Sequence, residues 1–177
     1  MKKKHPSLNK AAIALLHGAG VLVALLFLAQ VGGVVLRSGM LAAILPAELF
    51  NLTNYDRSQL GLHPLHQNPR LAEAAQLKAN DMARRGYFSH TTPEGLEPWY
   101  WFDAVNYPYG YAGENLALYY TESKDVERAW MESPEHRANL LSADYVDMGI
   151  GVATGTYKGT EATFVVQFFG TKGEGAK

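Results

Sequence analysis

Hydrophobic positions follow three successive patterns along this chain. The first is continuous. Residues 11–36 (AAIALLHGAGVLVALLFLAQVGGVVL) are interrupted only by His17 and Gln30. As a helix rising 1.5 Å per residue, the run is roughly 39 Å long, enough to cross a bilayer with tilt. The second pattern is helical. Glu48–Leu62 sets Leu49, Leu52, Tyr55 and Leu60 near helical spacing and stops at Gly61. Asn68 and Pro69 supply a cap and a first turn. Leu71, Ala74, Ala75, Ala79 and Met82, with Leu77 nearby, then predict an amphipathic helix that ends at Arg84, Arg85 and Gly86. Ser123 is placed to cap a helix through Val126, Ala129, Trp130 and Met131, and Ser133 with Pro134 caps a short one ending near Leu141. The third pattern is small and β-branched. Met148–Tyr157 and Glu161–Gly170 predict adjacent antiparallel strands joined by a turn at Lys158-Gly159. Residues 87–113 are aromatic and punctuated by Gly and Pro; they read as an ordered loop with a short helix from Pro98 to Ala104. Helices first and strands last predict an α+β layer fold.

Charge divides the chain at one point. All 17 acidic residues follow Pro46, whereas Lys2, Lys3, Lys4, Lys10 and Arg37 precede it. Four lysines stand before the apolar run and one arginine directly after it. This bias holds the N-terminus in the cytoplasm and sends the rest across. The expected organisation is a basic leader and membrane anchor at 1–37, a linker at 38–47, one domain at 48–170 and a flexible tail at 171–177. The run exceeds an ordinary signal-peptide core, which favours a retained anchor; a cleaved signal peptide and a secreted domain are the alternative. An acidic domain is a poor nucleic-acid binder. Cysteine is absent, so disulfides, thiol nucleophiles and Cys-based zinc sites are excluded. No phosphate-binding glycine loop is present, and Gly149-Ile150-Gly151-Val152 leads into a strand, so nucleotide use is not expected.

Residue chemistry beyond the leader rests on His63, His66, His90 and His136, with Glu114, Glu132 and Glu135 as acids. The pattern does not bring these groups together. His63-x-x-His66 occupies a turn, and such a pair is weak evidence for a metal. Ser89 and Ser133 lie near histidines but in no strand–nucleophile–helix elbow, against a serine hydrolase. Trp99, Tyr100, Trp101, Phe102, Tyr107, Tyr109 and Tyr111 either cover the sheet and seal the loop or line a groove for glycans or lipid tails.

Several segments occur in a recognisable order: Asn54–Leu62 (NYDRSQLGL) with Pro64-Leu65, Asn68–Arg85, Gly86–His90 (GYFSH), Thr92–Gly95 (TPEG), Gly113–Ala117 (GENLA), Trp130–Leu141 (WMESPEHRANLL), Met148–Val152 (MGIGV) and Val166–Gly170 (VQFFG). Together they resemble the CAP superfamily of SCP-like domains, which includes cysteine-rich secretory, antigen 5 and plant pathogenesis-related proteins, and most of all its bacterial extracytoplasmic branch. The resemblance implies an α-β-α sandwich with a central antiparallel sheet and an open cleft, here preceded by one transmembrane helix. It also implies a tetrad of two histidines and two glutamates that in several members holds zinc or a similar divalent ion. His90, Glu114 and His136 match three of the four places. The second acid of plant and animal members falls on Ser133, with Glu132 and Glu135 as off-register neighbours. Asn115 is expected to orient Glu114 or cap the local turn, and Arg137 to lock a loop by pairing with an acid.

Two imidazoles and a carboxylate suit Zn²⁺ and leave a place for water; without metal the same groups share protons and bind a polar ligand. The function implied is a membrane-tethered, extracytoplasmic domain whose His/Glu cleft binds a divalent metal or a polar ligand, its partner an envelope glycan, lipid or protein. A zinc-dependent envelope hydrolase, a lipid or sterol binder and a structural spacer with a relic cleft remain as alternatives.

Overall fold

The computed structural model describes residues 43–173. The apolar run at 11–36, and with it the expected transmembrane helix or signal peptide, lies outside the described residues. Among the described residues no helix is long and apolar enough to cross a membrane.

The elements are α1 (Pro46–Gln59), β1 (His66–Gln67), α2 (Pro69–Arg85), α3 (Tyr100–Ala104), β2 (Tyr109–Leu118), α4 (Ser123–Glu132), α5 (Pro134–Leu141), β3 (Asp147–Tyr157) and β4 (Thr160–Lys172). The strands lie in the order β1-β3-β4-β2. One core forms where α2 and α3 cover the sheet, the other under α1, α4 and α5, which gives the α-β-α sandwich. The sheet is mixed, not antiparallel throughout as expected. β1 pairs parallel with β3, while β3–β4 and β2–β4 are antiparallel. The cause is connectivity: between β1 and β3 the chain passes through α2, α3, β2, α4 and α5, a connection long enough to bring the two strands together in parallel, which a tight turn cannot do.

β4 is buried on both faces. Phe164, Val166 and Phe168 enter the core under α2; Val165 and Phe169 enter the other. Double burial explains its nearly unbroken apolar sequence. The exception is Gln167, also fully buried. The Lys158-Gly159 turn is as expected, with φ of 51° and 83°, the left-handed pair that suits a two-residue hairpin.

The small residues of β3 have a packing cause. A Cβ built on Gly149 would lie 2.1 Å from backbone atoms of Leu71 and Ala72, and one on Gly151 2.3 Å from backbone atoms of Ala75 and Gln76. The backbone of α2 therefore rests directly on β3, which only glycine permits.

Residues 109–113 differ from expectation: they belong to strand β2, not to a loop. Tyr-Gly-Tyr-Ala-Gly has weak strand propensity, and pairing of Tyr111–Gly113 with Phe169–Thr171 overrides it. Ser123 also differs. Glu122 holds the N-cap position of α4, and the Ser123 hydroxyl instead accepts from the Leu45 N–H at 3.0 Å. At the other end, β4 continues through Lys172, into the segment expected as tail. The aromatic segment seals the sheet. Phe102 is fully buried and meets Trp99, Tyr107, Tyr109 and Phe168 edge-on, and the Tyr107 hydroxyl donates to Asp147 Oδ2 at 2.9 Å.

Candidate functional site

The site is assembled around three consecutive residues of β2. Gly113 leaves room for its neighbours: a Cβ there would lie 2.4 Å from the Tyr145 hydroxyl and 3.0 Å from Asn139 Oδ1. Glu114 and Asn115 then point to opposite faces of the sheet, as successive strand residues must.

Glu114 turns toward α2. One carboxylate oxygen pairs with Lys78 Nζ and the other with His90 Nδ1. The Lys78 side chain is fully buried, and its ammonium also donates to the His90 carbonyl at 2.5 Å. It therefore ties the loop after α2 to the carboxylate that holds the ring. Burial pushes the Lys78 pKa down, and the Glu114 charge and hydrogen bond oppose that shift. His90 is 59% exposed, so its ring is open to solvent.

Asn115 turns the other way and is fully buried. Its Nδ2 donates to the His136 carbonyl at 3.2 Å and to Gln167 Oε1 at 3.1 Å, and its Oδ1 accepts from Asn139 Nδ2 at 3.0 Å. Asn115 thus positions α5 rather than orienting Glu114 or capping a turn. The carbonyls of Ala112, Glu114 and Leu116 each accept from a side chain: Tyr145 Oη at 3.2 Å, Asn139 Nδ2 at 3.0 Å and Trp130 Nε1 at 3.0 Å.

His136 lies in the first turn of α5. Ser133 stands at the N-cap with Pro134 behind it, yet its hydroxyl makes no cap bond. It meets His136 Nδ1 at 2.9 Å instead. Burial lowers the His136 pKa, the nearby His90 ring lowers it further, and Glu135 opposes both. We expect the His136 ring to titrate below 6.5, its ordinary value, and its midpoint to move up in His90→Gln. Ring-proton NMR checks this; an unmoved midpoint would separate the two rings.

A second group of buried polar residues backs the site. From Asn115 the chain of hydrogen bonds continues through Gln167 Nε2 to Thr53 Oγ1 at 3.0 Å, and from the Thr53 hydroxyl to Glu127 Oε2 at 3.1 Å. Glu127 Oε1 has no partner. Burial pushes this carboxyl up to about 8, with the Thr53 hydrogen bond opposing and Asp56 adding. The folded chain holds a proton that the unfolded chain releases near 4.5. Stability from this group is therefore complete at low pH and lost as pH rises from about 4.5 toward 8. Glu127→Gln is expected to flatten that slope and to stabilise the domain at pH 8 by a few kcal/mol, on the order set by such a shift. Melting temperatures of both proteins across pH decide it; parallel curves would assign Glu127 an ordinary pKa.

The Glu114 carboxylate is not free to act as a third metal ligand, whereas no hydrogen bond among the described residues engages the Nε2 atoms of His90 and His136. Both Glu114 oxygens are engaged, one by an ammonium, and His136 Nδ1 is engaged by Ser133. Among the described residues no group of three or more His, Asp or Glu side chains is placed to hold a metal ion. Glu132 and Glu135 are exposed, and Glu132 lines a separate hollow with Met131, Pro134 and Arg137. Arg137 is exposed and forms no ion pair among the described residues, contrary to the loop-locking role expected of it. His63 and His66 share a cavity wall elsewhere.

Sequence reasoning missed Lys78. The signal was present: Leu71, Ala74, Ala75, Lys78, Ala79 and Met82 form one buried stripe on α2, and a lysine within such a stripe requires a buried partner. Gln167 gave a similar signal, as one polar residue inside an apolar strand.

The model of the cysteine-rich secretory protein (CAP) family matches residues 50–169. Among curated proteins, YkwD of Bacillus subtilis is 34% identical over 59% of this chain and 40% of its own length. The membrane protein YlbC of the same organism is 31% identical over 59% of this chain and 30% of its own length. The chain thus spans less than half of either relative. Among solved structures, an extracellular protein containing an SCP domain from Bacillus anthracis superposes with a TM-score of 0.60 at 28% identity, over 71% of this chain and 40% of that one. An outer surface protein of Borrelia burgdorferi also gives 0.60, at 25% identity over 71% and 92% of the two chains.

Proposed function

We propose, for a chain that belongs to the cysteine-rich secretory protein (CAP) family, that it acts outside the cytoplasm as a binding module. Its cleft presents the imidazoles of His90 and His136 to a polar ligand, with the Lys78 ammonium as the resident cation. The division of Glu114 between Lys78 and His90 carries this reading. An ionised carboxylate only accepts hydrogen bonds, so it holds the proton of a neutral His90 ring on Nδ1 and leaves Nε2 as an acceptor. A ligand rich in hydroxyl donors, such as an envelope glycan, matches that acceptor. Lys78 already places a positive charge beside Glu114 within the site.

Placement outside the cytoplasm is supported by the lysine-flanked apolar run at 11–36, by the extracellular B. anthracis relative and by the outer surface protein of Borrelia. We assign the run the role of a membrane anchor. An apolar ligand is the second reading, supported by an open hollow of about 490 Å³ whose lining includes Met131, Pro134, Ala138 and Leu141.

Calorimetric titration of the full-length chain with zinc chloride tests the resident-cation reading. Wild type should give no stoichiometric zinc binding at micromolar concentration, and Lys78→Gln should gain it through the freed carboxylate. Submicromolar zinc uptake by wild type, lost in His90→Ala and in His136→Ala, would overturn the reading in favour of the zinc-dependent hydrolase.

A further inference from the structure

Arg57 is the second large cation buried in the domain, at 1% exposure. Unlike Lys78 it has no carboxylate partner among the described residues. Its Nε donates to the His63 carbonyl at 3.0 Å, and its Nη1 to the carbonyls of Leu140 and Ser142 at 2.9 and 2.7 Å. These bonds close the C-terminal end of α5 and hold the loop that follows α1. Burial lowers the Arg57 pKa with no acid offsetting it, and a guanidinium nevertheless stays charged. Nη2 has no hydrogen-bond partner among the described residues. It is also not one of the fully enclosed orphan atoms, which are Trp101 Nε1 and Glu127 Oε1. With the residue 1% exposed, solvent reaches at most a small part of the guanidinium. Arg57 lines a cavity of about 300 Å³ whose walls include Leu62, His63, Pro64, His66, Tyr145 and Val146.

We propose that this cavity is a binding site for a small organic carboxylate, separate from the His90–Glu114–His136 cleft. The carboxylate head sits on Arg57 Nη2, flanked by the imidazoles of His63 and His66. The apolar body lies against Leu62, Pro64, Val146 and the ring of Tyr145. A free inorganic anion would leave those apolar walls without a partner, whereas a carboxylate with a short carbon chain satisfies both the charge and the walls. The walls are fixed in advance. Asn54 holds Leu65 through bonds of 2.7 and 3.0 Å, the His66 N–H donates to the Val146 carbonyl at 2.8 Å, and the Val146 N–H donates to the Gly170 carbonyl at 3.1 Å. A site that needs no rearrangement loses less free energy on binding. The unpaired guanidinium and the His63-x-x-His66 spacing, which reads only as weak metal evidence in the sequence, thereby receive one role.

Two-dimensional NMR of the full-length chain in a non-ionic detergent tests the site with three probes: sodium butyrate, its neutral isostere butyramide, and inorganic phosphate. Butyrate should give saturable shifts confined to the amides of residues 61–66 and 143–146, with at least about tenfold tighter binding than butyramide, as expected for a charge-assisted hydrogen bond. Ala143→Leu, at an exposed position of the cavity lining, should weaken butyrate by at least about tenfold at an unchanged melting temperature. Arg57→Lys keeps the charge but loses the planar fork, and should weaken it comparably. Absence of saturable shifts, equal binding of butyramide, or phosphate binding as tight as butyrate would each overturn the proposal.

Discussion

Lys78→Met will destabilise the domain by about 3–5 kcal/mol, the cost of leaving one member of a buried ion pair without the other. Glu114 would then have only the His90 ring as a partner, in a place where its side chain is 2% exposed. Glu114→Gln is expected to cost a similar amount, because it strands the Lys78 ammonium. The combination Lys78→Met with Glu114→Gln should recover most of the loss, since it removes both charges at once. Denaturant melts of the four proteins close the cycle. Strictly additive single effects would deny that the two groups act as a pair.

Gly149→Ala is the second large effect. The added methyl would stand 2.1 Å from the backbone of α2 at Leu71 and Ala72, not against a side chain that can rotate away. Helix and strand must separate, and this disturbs the core that holds Phe164, Val166 and Phe168. We expect a loss of about 3 kcal/mol or more, the upper end of overpacking penalties. Thr154→Ala, at an exposed position of the same strand, should stay within about 0.5 kcal/mol of wild type. A folded Gly149→Ala protein with a near-normal denaturation midpoint would show that α2 does not bear on β3 as described.

The long helices and the terminal hairpin were legible because their signals are local. Asn68 caps α2 with hydrogen bonds to the N–H groups of Arg70 and Leu71, and the left-handed pair Lys158-Gly159 closes the β3–β4 turn, each within a few residues of sequence. Strand β2 was half legible. Gly-Glu-Asn-Leu-Ala carries a motif, but Tyr109–Gly113 becomes strand only through pairing with residues some sixty positions away, which no local pattern encodes. The parallel β1 was illegible because two residues carry no periodicity.

In the site, resemblance located His90, Glu114 and His136, and the structure supplied their actual partners. Lys78 escaped, whereas Ser133 was placed at the site without its partner. Lys78 sat in plain view on an apolar stripe. Ser133 was read as a helix cap, the usual role of a serine before proline, and its hydroxyl turned out to serve a ring three residues on. Asn115 is expected from the sequence to orient Glu114 or cap the local turn, but adjacent residues on a strand face apart.

The occupied carbonyls of Ala112, Glu114 and Leu116 bear on how the domain meets other molecules. β2 is a terminal strand of the sheet, and an open terminal strand invites an extended peptide, or a second copy of the chain, to zip alongside it. Here the phenol of Tyr145, the amide of Asn139 and the indole of Trp130 have already taken those acceptors. An added strand along residues 112–116 would therefore have to compete with these three side chains for the outward carbonyls.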